Sequence, residues 1–294
     1  MKDLTYGLKE LCNRNRDGSY ATQYKRFRIL SQCAYLLHEI GYRKMGTQSL
    51  KPKHVDALVK RWKADNLSVG TIKNNMTSLR WWAQKIGKPA IIARDNDYYG
   101  IEKRVFVTGT DKSCQLDADK LSKVADPYVK ASLELQEAFG LRREESIKFT
   151  PIYAMQSLED GYIQLKDTWT KGGKPRNVPI TEAMREKQMQ ALKNAATLAG
   201  RGSLIPPDKR YVNQLKTYER HTRNAGFNKL HGLRHAYAQA RYTQLTGMEP
   251  PCKGGPSPRS MMPELRERDH AARDLISKEL GHERRQIVSV YLGG

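Results

Sequence analysis

Over the first ninety residues, apolar side chains recur at helical spacing. Leu30, Ala34, Leu37 and Ile40 keep that spacing, and Gly41 follows as a stop. Val55, Leu58, Val59 and Trp62 repeat it behind Pro52, a residue suited to a first helical turn. In LSVGTIKNNMTSLRWWAQKIGKP, Ser68 is placed to cap a helix. Ile72, Met76, Leu79, Ala83 and Ile86 form its apolar stripe, and Gly87 with Pro89 closes it. The period breaks over 94–112 (RDNDYYGIEKRVFVTGTDK), a locally charged stretch read as a linker. A second domain starts near QLDADKLSKV, with Asp117 or Asp119 as the cap, and the helical run YVKASLELQEAF stops at Gly140. Residues 161–180 change period and predict strands around a tight KGGK turn. Helices resume from about 181. Five of the thirteen prolines fall within 250–263, which predicts an exposed loop. The expected architecture is mainly α: a helical domain at 1–93, a linker at 94–112, and a domain at 113–294. The second domain carries a small β-sheet and a Pro-rich insertion at about 247–263.

Charge adds a partner to this picture. The chain holds 52 Lys plus Arg against 31 Asp plus Glu, a net +21. Residues 1–110 carry 21 basic and 9 acidic side chains and the remainder 31 and 22, so both halves share the excess. A polyanion gripped along much of the protein is the natural partner, and nucleic acid fits best. The helix of residues 68–86 supports this, because Lys73, Asn74, Asn75, Thr77 and Arg80 offer basic and amide groups to a duplex. Cys12, Cys33, Cys114 and Cys252 are scattered without a CxxC pair, which argues against a zinc site or a disulfide framework. No stretch approaches the length of a membrane span and no signal peptide is evident, so no membrane partner and a cytoplasmic location are expected.

Four short motifs carry the chemistry: FGLRREE (139–145), TKGGKPR (170–176), HGLRHAY (231–237) and LGH…Y (280–291). Each alone is weak; together they supply Arg142 and Arg234, Lys171, His231 and His282, and Tyr291. Two guanidinium forks can hold a phosphodiester as its negative charge grows. A phenol ordinarily ionises near pH ~10, so as a nucleophile at neutral pH it needs a proton acceptor, a role a histidine fills. A lysine ammonium can protonate the leaving 5′-oxygen. This inventory needs no metal and no other cofactor. The alternative for Tyr291 is simple packing against Ile287 on a final helix. On one continuous helix His282 and Tyr291, nine residues apart, would face opposite ways. A bend between them would let both reach one phosphate.

The motifs in this order resemble the tyrosine recombinases of the phage integrase family, over almost the whole chain. By that resemblance Arg142 is the first clamp arginine and Glu145 its supporting carboxylate. Lys171 is the mobile general acid, with Lys174 as the substitute. His231 and Arg234 are the general base/acid and the second clamp arginine, and His235 is a supporting residue. His282 bonds the scissile phosphate, and Tyr291 is the nucleophile. The resemblance also implies a two-domain C-shaped clamp on DNA, a 3′-phosphotyrosyl intermediate, and a homotetramer acting on two DNA sites. An accessory DNA-bending or directionality factor belongs to the same picture. Integration and excision of a bacterial mobile element is the expected role. A type IB topoisomerase-like enzyme and a non-catalytic DNA-binding accessory protein are the rivals. Two departures stand out. From Arg234 to His282 is 48 residues, about twice the compact spacing, and only three residues follow Tyr291. The inserted segment could contact DNA, contact a neighbouring protomer, or be neutral.

Overall fold

The computed structural model describes residues 2–294. One compact unit ends at Val105 and the second runs Phe106–Gly294.

The first unit is a four-helix assembly: α1 (Lys2–Arg14), α2 (Tyr20–Glu39), α3 (Pro52–Ala64) and α4 (Val69–Lys85). Ser19 caps α2 by accepting from Thr22 N–H, and Ser68 caps α4 through Thr71 N–H. The predicted stripes meet inside: Leu30, Leu37, Leu58, Trp62, Met76, Leu79 and Trp82 are all essentially closed to solvent. The Trp82 indole finds its partner in the Thr47 carbonyl at 3.0 Å. The first part of the segment expected as linker belongs to this unit. Ile101 is buried in its core, and Arg80 donates to the Asn96 side chain, as it does to the Ala93 carbonyl just before the segment, at 3.0 Å each.

The second unit contains α5 (Ala118–Ser122), α6 (Pro127–Phe139), α7 (Arg143–Ile147), α8 (Pro151–Ala154), the hairpin β1 (Tyr162–Leu165) and β2 (Arg176–Pro179), then α9 (Arg185–Ala199), α10 (Tyr211–Asn224), α11 (Gly232–Thr246), α12 (Pro263–Glu279) and α13 (Ser289–Leu292). Asp117 is the cap of α5, through Lys120 N–H. The strands pair antiparallel with Tyr162 opposite Pro179 and Leu165 opposite Arg176, which places the KGGK turn in the loop that joins them. Ile163, Leu165 and Val178 point one way, into a core shared with α6, α9, α11 and α12. The end of the expected linker lies against this unit, where the Gln239 side chain donates to Asp111 at 2.8 Å. The Pro-rich segment is not simply an exposed loop. Pro250 and Met261 are buried, Pro251–Lys253 form a single 3₁₀ turn, and Arg266 donates to the Pro258 and Met261 carbonyls at 3.0 Å each. Among the described residues no helix is long and apolar enough to cross a membrane.

Candidate active site

The site forms where the end of α6, the start of α11, strand β2 and the C-terminal segment converge. α6 stops at Gly140 in the left-handed conformation (φ +60°), and a Cβ there would lie 2.6 Å from the Tyr237 ring of α11. Only glycine allows this approach. The approach sets the Gly140 carbonyl 2.6 Å from Arg234 Nη1.

Arg142 then caps α7 in extended conformation. Glu145, three residues on, reaches back to accept from its N–H at 2.7 Å and from its Nη1 at 2.8 Å. Glu145 is completely buried and also takes a two-pronged bond from Arg176 of β2, Nη1 to Oε1 at 2.8 Å and Nη2 to Oε2 at 2.7 Å. Burial raises the carboxyl pKa, but the hydrogen bonds and charge of Arg176, with Arg234 and Arg142 beyond, overcome this and hold it at about 2. Arg176 Nε donates to the Glu279 carbonyl at 2.8 Å, which ties the clamp to the segment leading into His282.

Arg234, on the first turn of α11, is 1% exposed. Burial lowers its pKa to about 10, so it stays cationic at neutral pH. Its fork bonds the Gly140 and Leu280 carbonyls, and its Nε donates to the Tyr291 hydroxyl at 3.3 Å. That hydroxyl is also 3.2 Å from His282 Nε2. No continuous helix joins the two residues. α12 ends at Glu279, a 3₁₀ turn spans Arg285–Val288, and α13 follows, so the chain bends and the nine-residue phase problem disappears. Tyr291 is 6% exposed and its ring lies among three imidazoles, with centres 4.7 Å from His235, 5.8 Å from His282 and 6.0 Å from His231. It is therefore not merely paired with Ile287, which remains partly exposed.

All three histidines are depressed towards the neutral form. Burial and the charges of Arg234, Arg142 and Arg176 push His282 down to about 4. Burial and His231 push His235 to about 4. His231 opens to solvent on one side, yet partial burial and then Arg234 and Arg142 lower it too. Neutral imidazoles can accept a proton from a phenol at pH 7. Three guanidiniums surround a single carboxylate, so the buried site carries uncompensated positive charge, which suits an anion.

Seven of the eight candidate residues of this unit are thus brought together: Arg142, Glu145, His231, Arg234, His235, His282 and Tyr291. Lys171 is not. It is exposed on the β1–β2 turn, with no hydrogen bond or ion pair to another described residue. Lys174 pairs with Glu283, the neighbour of His282. In the first unit, α4 turns Asn74 and Thr77 outward and leaves Lys73 half-exposed, but buries Asn75 at 8% exposure and commits Arg80 to residues 93–96. Asn75 and Arg80 therefore do not lie on an open face, contrary to the sequence expectation. The burial of Asn75 has a sequence signal, because it stands three residues after Ile72 and four before Leu79, on the apolar stripe. Arg176 was missed in the sequence, since an arginine beside a glycine turn normally faces water. Its partner Glu145 lies 31 residues away, and no local pattern encodes that pairing. Among the described residues no group of three His, Cys, Asp or Glu suits a metal ion.

A buried, cation-rich pocket around a phenol and neutral imidazoles, on a mainly helical frame with one hairpin, defines a protein equipped for phosphodiester chemistry. The family description "Phage integrase, N-terminal" matches residues 1–92 and "Integrase" matches residues 107–240. The chain belongs to the phage integrase family of tyrosine-type site-specific recombinases. Among solved structures it is similar to a lambda integrase(75-356) dimer bound to a COC′ core site, with 14% identity, TM-score 0.61, and coverage of 98% of this chain and 94% of that one. It is also similar to the Tn1549 transposon integrase in complex with transposon right end DNA (14%, TM-score 0.58, 99% and 95%). A third similar structure is the XerH site-specific recombinase in its post-cleavage complex (17%, TM-score 0.55, 98% and 80%). At these identities the likeness is one of fold. No curated protein matches the sequence.

Proposed function

We propose that this chain cleaves and rejoins DNA strands through Tyr291, and that it serves the integration and excision of a mobile element. The observation that carries the reading is the position of the Tyr291 hydroxyl, 3.3 Å from Arg234 Nε and 3.2 Å from His282 Nε2, beside two further guanidiniums, Arg142 and Arg176, that share the Glu145 carboxylate. A scissile phosphate between Arg142 and Arg234 supplies the missing negative charge. The phenol oxygen attacks phosphorus, its proton passes to a neutral imidazole, and the P–O5′ bond breaks. His282 is the imidazole within reach in this geometry, while His231, at the start of α11, faces the solvent side from which a strand would enter. Lys171, carried on the turn between β1 and β2, protonates the leaving 5′-oxygen once DNA draws the turn inward. The ester between the 3′-phosphate and Tyr291 keeps the bond energy, so the 5′-hydroxyl of a partner strand can resolve it without ATP.

A cleft of about 550 Å³ beside His231, lined by Arg143, Arg223, Asn228 and Lys229, offers positive and amide groups to the flanking backbone. Lys73, Asn74 and Thr77 offer the same from the first unit. Both units would thus contribute contacts to the duplex. Four copies would then act on two DNA sites in a bacterial cytoplasm, with an accessory bending or directionality factor where the element encodes one. The decisive experiment is a suicide duplex carrying the element's end, nicked so that the released fragment diffuses away. The expected result is an adduct that survives SDS with the wild type and is absent with Tyr291→Phe, in excess EDTA. A site that is bound but yields no adduct would favour the accessory-protein reading.

A further inference from the structure

The helix that carries Tyr291 has four residues, too few to hold itself in place. Its position must come from what touches it, and much of that comes from the long segment between Arg234 and His282. We propose that this segment is an intramolecular clasp on the nucleophile, with Arg273 as the chief positioning residue and Gln239 and Cys252 as its supports. The inference rests on the reading of Tyr291 as the nucleophile.

Arg273 lies on α12 and is 3% exposed. Its Nη1 donates to Ser289 Oγ and to the Gly293 carbonyl, both at 3.1 Å, so one guanidinium spans α13 from its first residue to the residue after its last. Arg273 is itself fixed. Its Nε meets both oxygens of Asp269 at 2.8 and 3.0 Å, and Asp269, fully buried, accepts from the Tyr242 hydroxyl of α11 at 2.8 Å. The same helix that carries Arg234 thus sets the place of α13 through two buried side chains. A second hold works on the nucleophile's own backbone. Gln239 Nε2, also anchored to Asp111, lies 3.2 Å from the Tyr291 carbonyl, and the Cys252 thiol is 3.5 Å from it. Gly293 completes the contact: its φ is +88°, and a Cβ there would fall 2.9 Å from Cys252 N.

None of these groups reaches the Tyr291 hydroxyl. They act by fixing the backbone from which the phenol is aimed, and an attacking oxygen misplaced by about 1 Å loses on the order of 10²-fold in rate. The departure in spacing acquires a use on this view: the inserted stretch bears on the nucleophile of its own chain.

The test uses the full chain with Arg273→Gln and, separately, the double variant Ser289→Ala/Cys252→Ala, which leaves the Asp269 pair intact. Three quantities are read: affinity for the duplex, adduct rate at saturating protein, and hydrogen exchange of the amides of 289–293. The clasp predicts affinity within about twofold of wild type. It predicts an adduct rate reduced roughly 10- to 100-fold for Arg273→Gln and several-fold for the double variant. Exchange should speed up in 289–293 while α6 and α9 keep their protection. An unchanged adduct rate overturns the proposal, whether or not exchange quickens. So does a loss of affinity and protection spread over the whole unit, which is what a merely structural arginine would give. If Arg273→Gln fails to fold, the double variant decides alone. A wild type that forms no Tyr291-dependent adduct sinks the functional reading instead, and the exchange at 289–293 still tests the clasp.

Discussion

Arg176 grips Glu145 with both prongs of its guanidinium, at 2.8 and 2.7 Å, and the same carboxylate holds the Arg142 side chain at 2.8 Å. One buried anion thereby orients two arginines from different elements, α7 and β2. The third bond of Arg176, to the Glu279 carbonyl, carries that order towards His282.

Truncation at this point should be severe. Arg176→Ala leaves Glu145 buried with half its donors removed, and breaking such a pair typically costs about 3–5 kcal/mol. Arg176→Lys keeps the charge but loses the fork, and should fall between. Denaturant midpoints of the second unit would order the three proteins as wild type, Lys, Ala. An Ala variant as stable as the wild type would show that Arg142 alone satisfies Glu145.

The legible parts of the fold were those with a strong local period. The stripes of α3 and α4 and the stop at Gly140 follow from spacing and capping chemistry alone, and the hairpin from a change of period around a glycine turn. All eight candidate site residues of the second unit sit in short motifs whose residue types already name the chemistry. Pairings between distant elements were not legible. Arg176 with Glu145, Arg273 with Ser289 and Gln239 with the Tyr291 carbonyl join positions 16 to 52 residues apart. Each is a charge or amide that, in its own stretch, reads as ordinary surface. Nor did the proline count reveal that Pro251 and Cys252 lie against Tyr291 and Gly293, because a loop's composition says nothing of what it lies upon.

Acid should weaken the second unit in two stages. His235 and His282 sit at about 4 when folded, against an ordinary value of 6.5, so below pH 6.5 the unfolded chain binds more protons. Their contribution is present above about pH 6.5 and is lost as the pH falls towards 4. Glu145, at about 2 against 4.5, contributes above pH 4.5 and loses that contribution as the pH falls towards 2. Urea midpoints from pH 8 downwards should bend first near pH 6.5, and His282→Gln should flatten that upper limb. A flat profile between 6.5 and 4 would contradict the buried neutral imidazoles.

DNA should reverse part of this effect. Burial and then the nearby arginine charges depress His231 and His282; a phosphate diester placed between Arg142 and Arg234 offsets the second of these causes and raises both towards protonation. Binding at pH 6 should take up roughly one proton, visible in calorimetry as a heat that varies with the ionisation enthalpy of the buffer. The His231→Gln/His282→Gln protein should bind with no such dependence. Equal heats for the wild type in all buffers would place the phosphate elsewhere.

The two lysines of the hairpin turn separate by their partners. Lys171 has none among the described residues and is free to move, whereas Lys174 is engaged by Glu283. Loss of a general acid costs about 10²–10⁴-fold, and Lys171→Ala should show that loss in the cleavage rate. Replacing the bridging 5′-oxygen of the substrate by sulfur removes the need for protonation, because a thiol ionises near pH ~8.5 and leaves as the thiolate. The sulfur substrate should restore the Lys171→Ala rate to within several-fold of wild type. Lys174→Ala should change cleavage of the ordinary substrate only a few-fold. The opposite pattern would move the acid to Lys174 and make the Glu283 pair a latch that DNA opens.

On α4 the structure splits five polar residues into two groups, and DNA binding should follow the split. Lys73 is half-exposed and Asn74 and Thr77 face outward, while Asn75 is packed among Ile72, Met76 and Leu79 and Arg80 is tied to residues 93–96. A lysine on phosphate contributes to the salt dependence of affinity, so Lys73→Ala should reduce the slope of log K against log salt by about 0.9. Asn74→Ala should leave that slope unchanged and weaken discrimination between the element's site and random duplex. Asn75→Leu and Arg80→Ala should act on the fold instead. The first exchanges a buried amide for an apolar side chain, and the second frees the Ala93 carbonyl, so both should shift the unfolding midpoint of the first unit and leave the salt slope as it was. Titrations at four salt concentrations, run beside thermal melts, separate the two groups. A reduced slope for Arg80→Ala with an unshifted melt would mean that Arg80 leaves Ala93 and Asn96 to reach DNA.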